Sequence, residues 1–469
     1  MSFLQDLHQL GSILDAYRSA GQNRRTPVVR QEGIAKIIED LKLAERVREG
    51  GLQGDILARF LTSYLNYTTR LDHPNYMAHQ VAVVHPAGSL AALLDAFTNN
   101  PMAIYEMGPA AAAIEFFMVN WLLIHAGFDA APVDAPDHPS SVWGGGVLVN
   151  GGSLANLTAL VAARTRIAPD VWQNGMPSDL ALLAPAECHY SIARAAGIMG
   201  LGRKAVYQLE VDQNGAVIPD RLPAAYKRLG DDGKRAVALV ANACSTPVGI
   251  YDPLKEIGEF CRRANIWFHV DGAHGASALL SVRYRHLLDG IEMADSVIWD
   301  AHKLMRTPPL CTAVLVRDHR HLDRAFEQEA SYLFHAKNQP GVDFIHRTVE
   351  CTKSGLGLKL FFVVAALGES GLAAYIERQY DLAAEAYAYL RSQPDLECPV
   401  KPQSNIVCFR VPGSDQDQLA YRDLLIGTGE FHLSTTMFQG RRYLRMTLMS
   451  PQTTLEDVKT LVTALRRAR

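Results

Sequence analysis

Residues 296–310 read SVIWDAHKLMRTPPL, an apolar strand that ends on Asp300 and is followed at once by His302, Lys303 and a proline-containing turn. A lysine at a strand end is ordinarily a solvated charge with its stem laid along apolar surface. What surrounds this strand in the sequence decides whether Lys303 is such a residue. Upstream lies IWFHVD (266–271), a second short apolar run that ends on an acid, Asp271, before Gly272, Ala273 and His274. Further upstream are AVALVANA (236–243), DLALLAPA (179–186) and VWGGGVLVN (142–150), separated by helical stretches such as SLANLTALVAARTRI (153–167) and DPLKEIGEFCRRAN (252–265). Short, wholly apolar strands alternating with helices imply an α/β fold with a mainly parallel sheet covered on both faces. In such sheets ligands gather beyond the carboxyl ends of the strands. Asp271 and Lys303 both stand at such ends, so one crevice receives an acid and an amine.

The texture of the chain divides it into three regions. Residues 1–75 carry amphipathic helical patterns, GIAKIIEDLKLAERV and DILARFLTSYLNYTTR, with little strand signal, and form a helical arm that needs a partner surface. Residues 76–345 hold the strand–helix alternation. Residues 346–469 read as two helices (TKSGLGLKLFFVVAALG and LAAYIERQYDLAAEAYAYLRSQ), the strands NIVCFRV and RRYLRMTLM, and a closing helix, TLEDVKTLVTALRRAR, which together make a small α+β domain.

The 469 residues are 48% hydrophobic and 20% charged with a formal net charge of -3, the composition of an ordinary globular protein with a large core. That balance gives no reason to expect nucleic acid or an anionic membrane as partner. The seven cysteines are scattered without a CxxC pair, as expected for reduced thiols in the cytoplasm rather than a disulfide framework or a zinc site. The first residues lack the basic start and apolar run of a signal peptide, and no uninterrupted apolar segment approaches the roughly 18 residues of a membrane span. A cytoplasmic protein is the expectation.

A carboxylate and an amine facing one pocket suit pyridoxal 5'-phosphate, which takes a lysine for its Schiff base and an acid to keep its pyridine nitrogen protonated. His302, beside Lys303, adds a cation that lowers the amine's pKa toward a nucleophilic form. The turn NGGSLANL (150–157) offers Gly152 and Ser153 before a helix whose N-terminus attracts phosphate, although an ordinary turn and cap reads the same way. His189, after the run DLALLAPA, suits stacking on the pyridine face, with Ala273 beneath; a capping or buried histidine is the alternative. Thr246, in NACSTPVGIYD, either meets the ring's phenolic oxygen or holds a turn. A metal centre built from His189, His269, His274 and His302 lacks HExxH or a comparable ligand spacing.

These residues resemble the group II pyridoxal-phosphate-dependent amino acid decarboxylases, which act on glutamate, aromatic amino acids, cysteine sulfinate or diaminobutyrate. The likeness runs in order through HPNYMAHQ (73–80), IYEMGPA (104–110), GGSLANLTAL (151–160), HYSIARAAGIMGLG (189–202), STPVGIYDPL (245–254), WFHVDGAHGA (267–276), DAHKLMRTP (300–308) and YLRMTLMSP (443–451). It implies fold type I, with a seven-stranded sheet, an N-terminal dimerisation arm and a homodimer with active sites at its interface. It implies Lys303 as the Schiff-base lysine, Asp271 as partner of the pyridine nitrogen, His189 as the stacking ring, and Gly152, Ser153, Asp300 and His302 on the phosphate side. Asp300 stands where some relatives have asparagine, and a carboxylate suits a phosphate poorly unless it serves a neighbouring donor. His73, Tyr76 and Tyr105 fall at the substrate mouth, and Arg445 at a position directed toward a substrate carboxylate, for which a guanidinium fork is suited. An acidic or short-chain L-amino acid is the favoured substrate.

The resemblance departs in one place. The family's mobile loop carries a tyrosine that protonates the substrate carbon, whereas the corresponding stretch here, FHAKNQPGVDFIHRTVECTK (334–353), is short and has none. Phe344 takes that position, His346 is the nearest other proton carrier, and Tyr332 lies earlier in a scaffold-like run. Transamination or an aldehyde-forming oxidative deamination is therefore the alternative outcome.

Overall fold

The computed structural model describes residues 2–134, 142–326 and 341–467. Tyr332 and residues 334–340 of the loop stretch lie outside the described residues. The chain forms two compact units: Val84–Tyr380, and Met1–Val83 together with Asp381–Arg469. The divisions fall at 83/84 and 380/381, where the change of sequence texture falls near 75 and 345.

The larger unit is built on a seven-stranded sheet of β1 (Gly145–Val149), β2 (Leu180–Pro185), β3 (Val206–Leu209), β4 (Arg235–Asn242), β5 (Trp267–Asp271), β6 (Ser296–Asp300) and β7 (Thr312–Val316), in the order β1-β7-β6-β5-β4-β2-β3. Strands β3, β2, β4, β5 and β6 run parallel, and β7 is antiparallel to both its neighbours. Every residue of β1, β2, β5, β6 and β7 is buried, which is why their sequences are continuously apolar rather than alternating. Helix Gly152–Ile167 buries Ala155, Asn156 and the whole run from Thr158 to Thr165, so it is an internal helix with little amphipathic character. Registers Val270↔Val297 and Asp271↔Ile298 set the ends of β5 and β6 side by side.

Helix Leu356–Arg391 has the length and apolar content of a membrane span. It is broken at Gly368 (φ 68), where the sequence divides into two helices, and it buries Leu356, Leu360, Val363, Leu372, Ile376 and Tyr380. In the smaller unit β8 (Ile406–Phe409), β9 (Ser434–Phe438) and β10 (Arg441–Thr447) form an antiparallel sheet in the order β8-β10-β9. The N-terminal arm finds its partner surface in the C-terminal segment. Met77 enters the same core as Phe409, Phe431, Leu444 and Leu461, its N–H donates to the His432 carbonyl at 3.0 Å, and Arg24 pairs with Asp457 at 2.5 Å.

One buried ion pair ties the segment after the loop into the larger unit. Lys353 Nζ lies 2.5 Å from Glu115 Oε2, both side chains are essentially inaccessible, and Glu115 Oε1 accepts the Leu148 N–H at 3.0 Å. Burial raises the Glu115 carboxyl, opposed by the Lys353 charge and by hydrogen bonds. Removing one member strands the other in a dry core, whereas replacing both does not. Lys353→Met is expected to cost roughly 3–5 kcal/mol in urea unfolding, and Glu115→Leu/Lys353→Met less than that single change. A single-variant loss no greater than that of the double variant would contradict this account.

Candidate functional site

The carboxyl ends of β5 and β6 carry the expected acid and amine. Asp271, the last residue of β5, is 7% exposed. Its Oδ1 accepts the Ala273 N–H at 3.2 Å and its Oδ2 accepts the Asn156 amide at 2.9 Å. Ala273 in turn accepts the Asp300 N–H at 3.1 Å, so the turn after β5 is stitched to the end of β6. Lys303 sits in the turn that follows, half-buried, with Nζ 2.9 Å from Asp300 Oδ2.

Asp300 is the electrostatic anchor of that turn. It is 1% exposed, and its Oδ1 accepts the Thr312 hydroxyl at 2.6 Å while Oδ2 faces Lys303 and lies 3.6 Å from His302 Nε2. Burial alone would raise this carboxyl. The charges of Lys303 and His302, with hydrogen bonds from Lys303 and Thr312, outweigh burial and hold it below the usual range. The carboxylate therefore serves neighbouring donors. His302 Nδ1 lies 2.9 Å from the Cys311 carbonyl oxygen.

Gly151 (φ 101) turns the chain from β1 into helix Gly152–Ile167, a backbone conformation that an L side chain adopts only under strain. A Cβ on Gly152 would stand 3.1 Å from Asp300 Oδ2, so the helix start lies directly against the turn that carries Lys303. Ser153 is the next residue of that helix. Thr246 is half-buried in the turn after β4.

His189 follows β2, and its ring is half-buried against Tyr190 at a centroid distance of 4.0 Å. Burial lowers its pKa, with Asp271 and Asp300 pulling it up and Lys303 pushing it down. One imidazole thus feels the charges of all three strand-end residues. Its Nδ1 lies 2.8 Å from Ser191 Oγ, and Ser191 Oγ accepts from Asn156 Nδ2 at 2.9 Å. His269, named above as a possible metal ligand, instead commits both ring nitrogens to hydrogen bonds, Nδ1 with Ser296 Oγ and Nε2 with Asn156 Oδ1, each at 2.8 Å.

The remaining expected residues fall into two groups. In the larger unit the Tyr105 N–H donates to Asp343 Oδ1 at 2.8 Å, Phe344 is buried in the core with Lys353 Nζ 5.2 Å from its ring centre, and His346 is half-buried in the same short helix, Phe344–Arg347. In the smaller unit burial pushes the His73 imidazole down to about 4 and the Tyr76 phenol up to about 12. Arg445 is 6% exposed, with Nη1 3.4 Å from the Ala78 carbonyl and from Ser434 Oγ. Sequence reading passed over Asn156, Ser191, Ser296 and Thr312. An asparagine in an otherwise apolar internal helix was the available signal, since a buried amide requires partners.

The residues matching the conserved domain of pyridoxal-dependent decarboxylases are 55–412. The chain is 31% identical over 379 residues to cysteine sulfinic acid decarboxylase of Mus musculus, covering 80% of this chain and 73% of that protein. It is 27% identical over 437 residues to an acidic amino acid decarboxylase of Mus musculus, covering 89% and 77%, and 28% identical over 430 residues to L-2,4-diaminobutyrate decarboxylase of Acinetobacter baumannii, covering 87% and 82%. The crystal structure of mouse CSAD superposes with a TM-score of 0.87 at 27% identity over 99% of this chain and 97% of the other.

Burial pushes His269 down to about 4 from 6.5. A folded-state pKa below the unfolded one gives stability that is complete above the unfolded value and lost as pH falls toward the folded one. The wild type is expected to lose roughly 3 kcal/mol through this residue as pH falls from about 6.5 to about 4, a slope that His269→Gln lacks. Urea unfolding of both proteins across that range checks it, and a constant difference between them would contradict it.

Proposed function

Because this chain belongs to the pyridoxal-dependent decarboxylase family, the group II amino acid decarboxylases that work with pyridoxal 5'-phosphate, we propose that it decarboxylates an L-amino acid, an acidic or short-chain one being favoured, with Lys303 as the covalent anchor of the cofactor. The observation that carries this reading is the meeting of Asp271, Lys303 and Asp300 at the ends of β5 and β6, all within electrostatic reach of the His189 ring.

The residues fit the cofactor. Lys303 offers a partly accessible amine, Asp271 an anchored carboxylate, His189 a flat ring, and the start of helix Gly152–Ile167 at Gly152 and Ser153 a set of N–H groups for a phosphate. Pyridoxal phosphate, when bound, supplies an electron sink conjugated to the substrate Cα. In this reading Asp271 would hold a proton at the pyridine nitrogen, His189 and Ala273 would pack against the ring, and Thr246 would serve the phenolic oxygen. Asp300 and His302 keep the turn that presents Lys303 in place. Tyr105, Phe344 and His346 of the larger unit are proposed on the substrate side of this site, and in the smaller unit Arg445, whose planar fork suits a substrate carboxylate, with His73 and Tyr76. The bond from Cα to the carboxylate breaks, carbon dioxide leaves, and a proton takes its place. With no tyrosine among residues 341–353, His346 is the nearest proton carrier there.

That absence is the specific reason to keep a second reading, in which the same site yields a transamination product, or consumes molecular oxygen and water to give an aldehyde, carbon dioxide, ammonia and hydrogen peroxide. We also propose a cytoplasmic homodimer, paired through the N-terminal arm, which exposes Phe3, Leu4, Ile34 and Val47. A panel of twenty amino acids with diaminobutyrate and cysteine sulfinate, scored for carbon dioxide, amine, aldehyde, oxo acid and peroxide, is expected to give equal amine and carbon dioxide from an acidic or short-chain substrate. Aldehyde with peroxide would favour the second reading. Borohydride treatment of the loaded enzyme should fix the cofactor on the peptide containing Lys303 and leave Lys303→Ala unlabelled; equal labelling of that variant would refute the assignment. Arg445→Met should raise KM about 10- to 100-fold with a smaller change in kcat.

A further inference from the structure

Five buried side chains behind Asp271 form one directed chain of hydrogen bonds. Trp267 Nε1 has only a proton to give, and gives it to Ser296 Oγ at 2.8 Å. Ser296 Oγ lies 2.8 Å from His269 Nδ1, His269 Nε2 lies 2.8 Å from Asn156 Oδ1, and Asn156 Nδ2 donates to both Asp271 Oδ2 and Ser191 Oγ at 2.9 Å. Ser191 Oγ then lies 2.8 Å from His189 Nδ1, and the Ser191 N–H points to the same nitrogen at 3.3 Å. Trp267, Ser296, His269, Asn156 and Ser191 are each no more than 1% exposed.

Burial lowers both imidazoles, and with the two rings neutral and Asp271 ionised one proton arrangement satisfies all of these contacts. The amide NH2 of Asn156 must face the carboxylate, since its oxygen there would oppose a negative charge. Its oxygen therefore faces His269, which must carry its proton on Nε2, leaving Nδ1 to accept from the Ser296 hydroxyl. The other amide proton occupies Ser191 Oγ, so the Ser191 hydroxyl turns to His189 Nδ1, and His189 carries its proton on Nε2. Asn156 is the node of this arrangement. Its two protons fix the acid on one side and the tautomer of the ring on the other.

We propose that Asn156, oriented by His269, is a positioning residue that holds the Asp271 carboxylate and the His189 ring in register for the cofactor. The inference rests on the assignment of Asp271 and His189 given above, and Asp271→Asn serves as the control for that assignment. Asn156→Asp has the same shape but replaces the donor with an acceptor beside Asp271, and should weaken pyridoxal phosphate binding roughly 10- to 100-fold and shift the visible band of the bound cofactor. Independently, nitrogen NMR of histidine-labelled, cofactor-free wild type should show His189 and His269 both protonated on Nε2 and bare on Nδ1 at neutral pH. A proton on Nδ1 of either ring would overturn the proposal, even if Asn156→Asp did not fold. Weakened binding by Asp271→Asn with unchanged binding and spectrum in Asn156→Asp would overturn the inference alone. Unchanged binding by Asp271→Asn would overturn the reading beneath it as well.

Discussion

The adjacency of two parallel strand ends is the constraint on which the site depends. Neighbouring strands lie about 4.8 Å apart, so residues that close β5 and β6 are brought together by the backbone before any side chain contributes. The register of β5 on β6 and the bond from the Asp300 N–H to the Ala273 carbonyl fix that closeness. An acid at the end of one strand and an amine just past the end of the next then both act on the His189 ring, and the start of helix Gly152–Ile167 lies against Asp300 of the same turn. No long-range feature of the fold is needed to explain the meeting.

Electrostatics distinguish the two acids at these strand ends. Asp300 and Lys303 form a pair whose acid is deeply buried and whose amine is partly open, so the lysine is held in place without being sealed from ligand. Asp271 is served differently, by one backbone N–H and one amide, neutral donors that leave its charge free to act on a ligand. The two acids thus differ in their partners: one is paired with the lysine of the turn, and the other is held by neutral donors alone. Elsewhere in the same unit the Glu115–Lys353 pair is closed completely, and its role is confined to packing.

Much of this was legible in the sequence. Apolar runs ending in Asp271 and before Lys303 forecast the parallel strands, and the break at Gly368 was readable as two helices, since TKSGLGLKLFFVVAALG ends on a glycine. The partner of Asp300 was legible only as a condition, that a donor must stand beside it; Lys303 and Thr312 meet that condition. The chain from Trp267 to His189 was not legible, because it joins residues from two strands, two helices and the turn after β2, and spacing within one segment carries no trace of contacts between segments. Nor was the joining of the N-terminal arm to residues 381–469, which rests on contacts such as Val28 with Gly429 and Arg24 with Asp457, hundreds of positions apart. Local pattern reports what a segment is, and only the fold reports what it meets.

A crystal structure of the protein grown with pyridoxal phosphate tests the central claim most directly. The account predicts continuous density from Lys303 Nζ to the cofactor, an Asp271 oxygen within hydrogen-bond distance of the pyridine nitrogen, and the phosphate at the start of helix Gly152–Ile167. Cofactor bound elsewhere, or Asp271 and Lys303 opening into separate cavities, would contradict it.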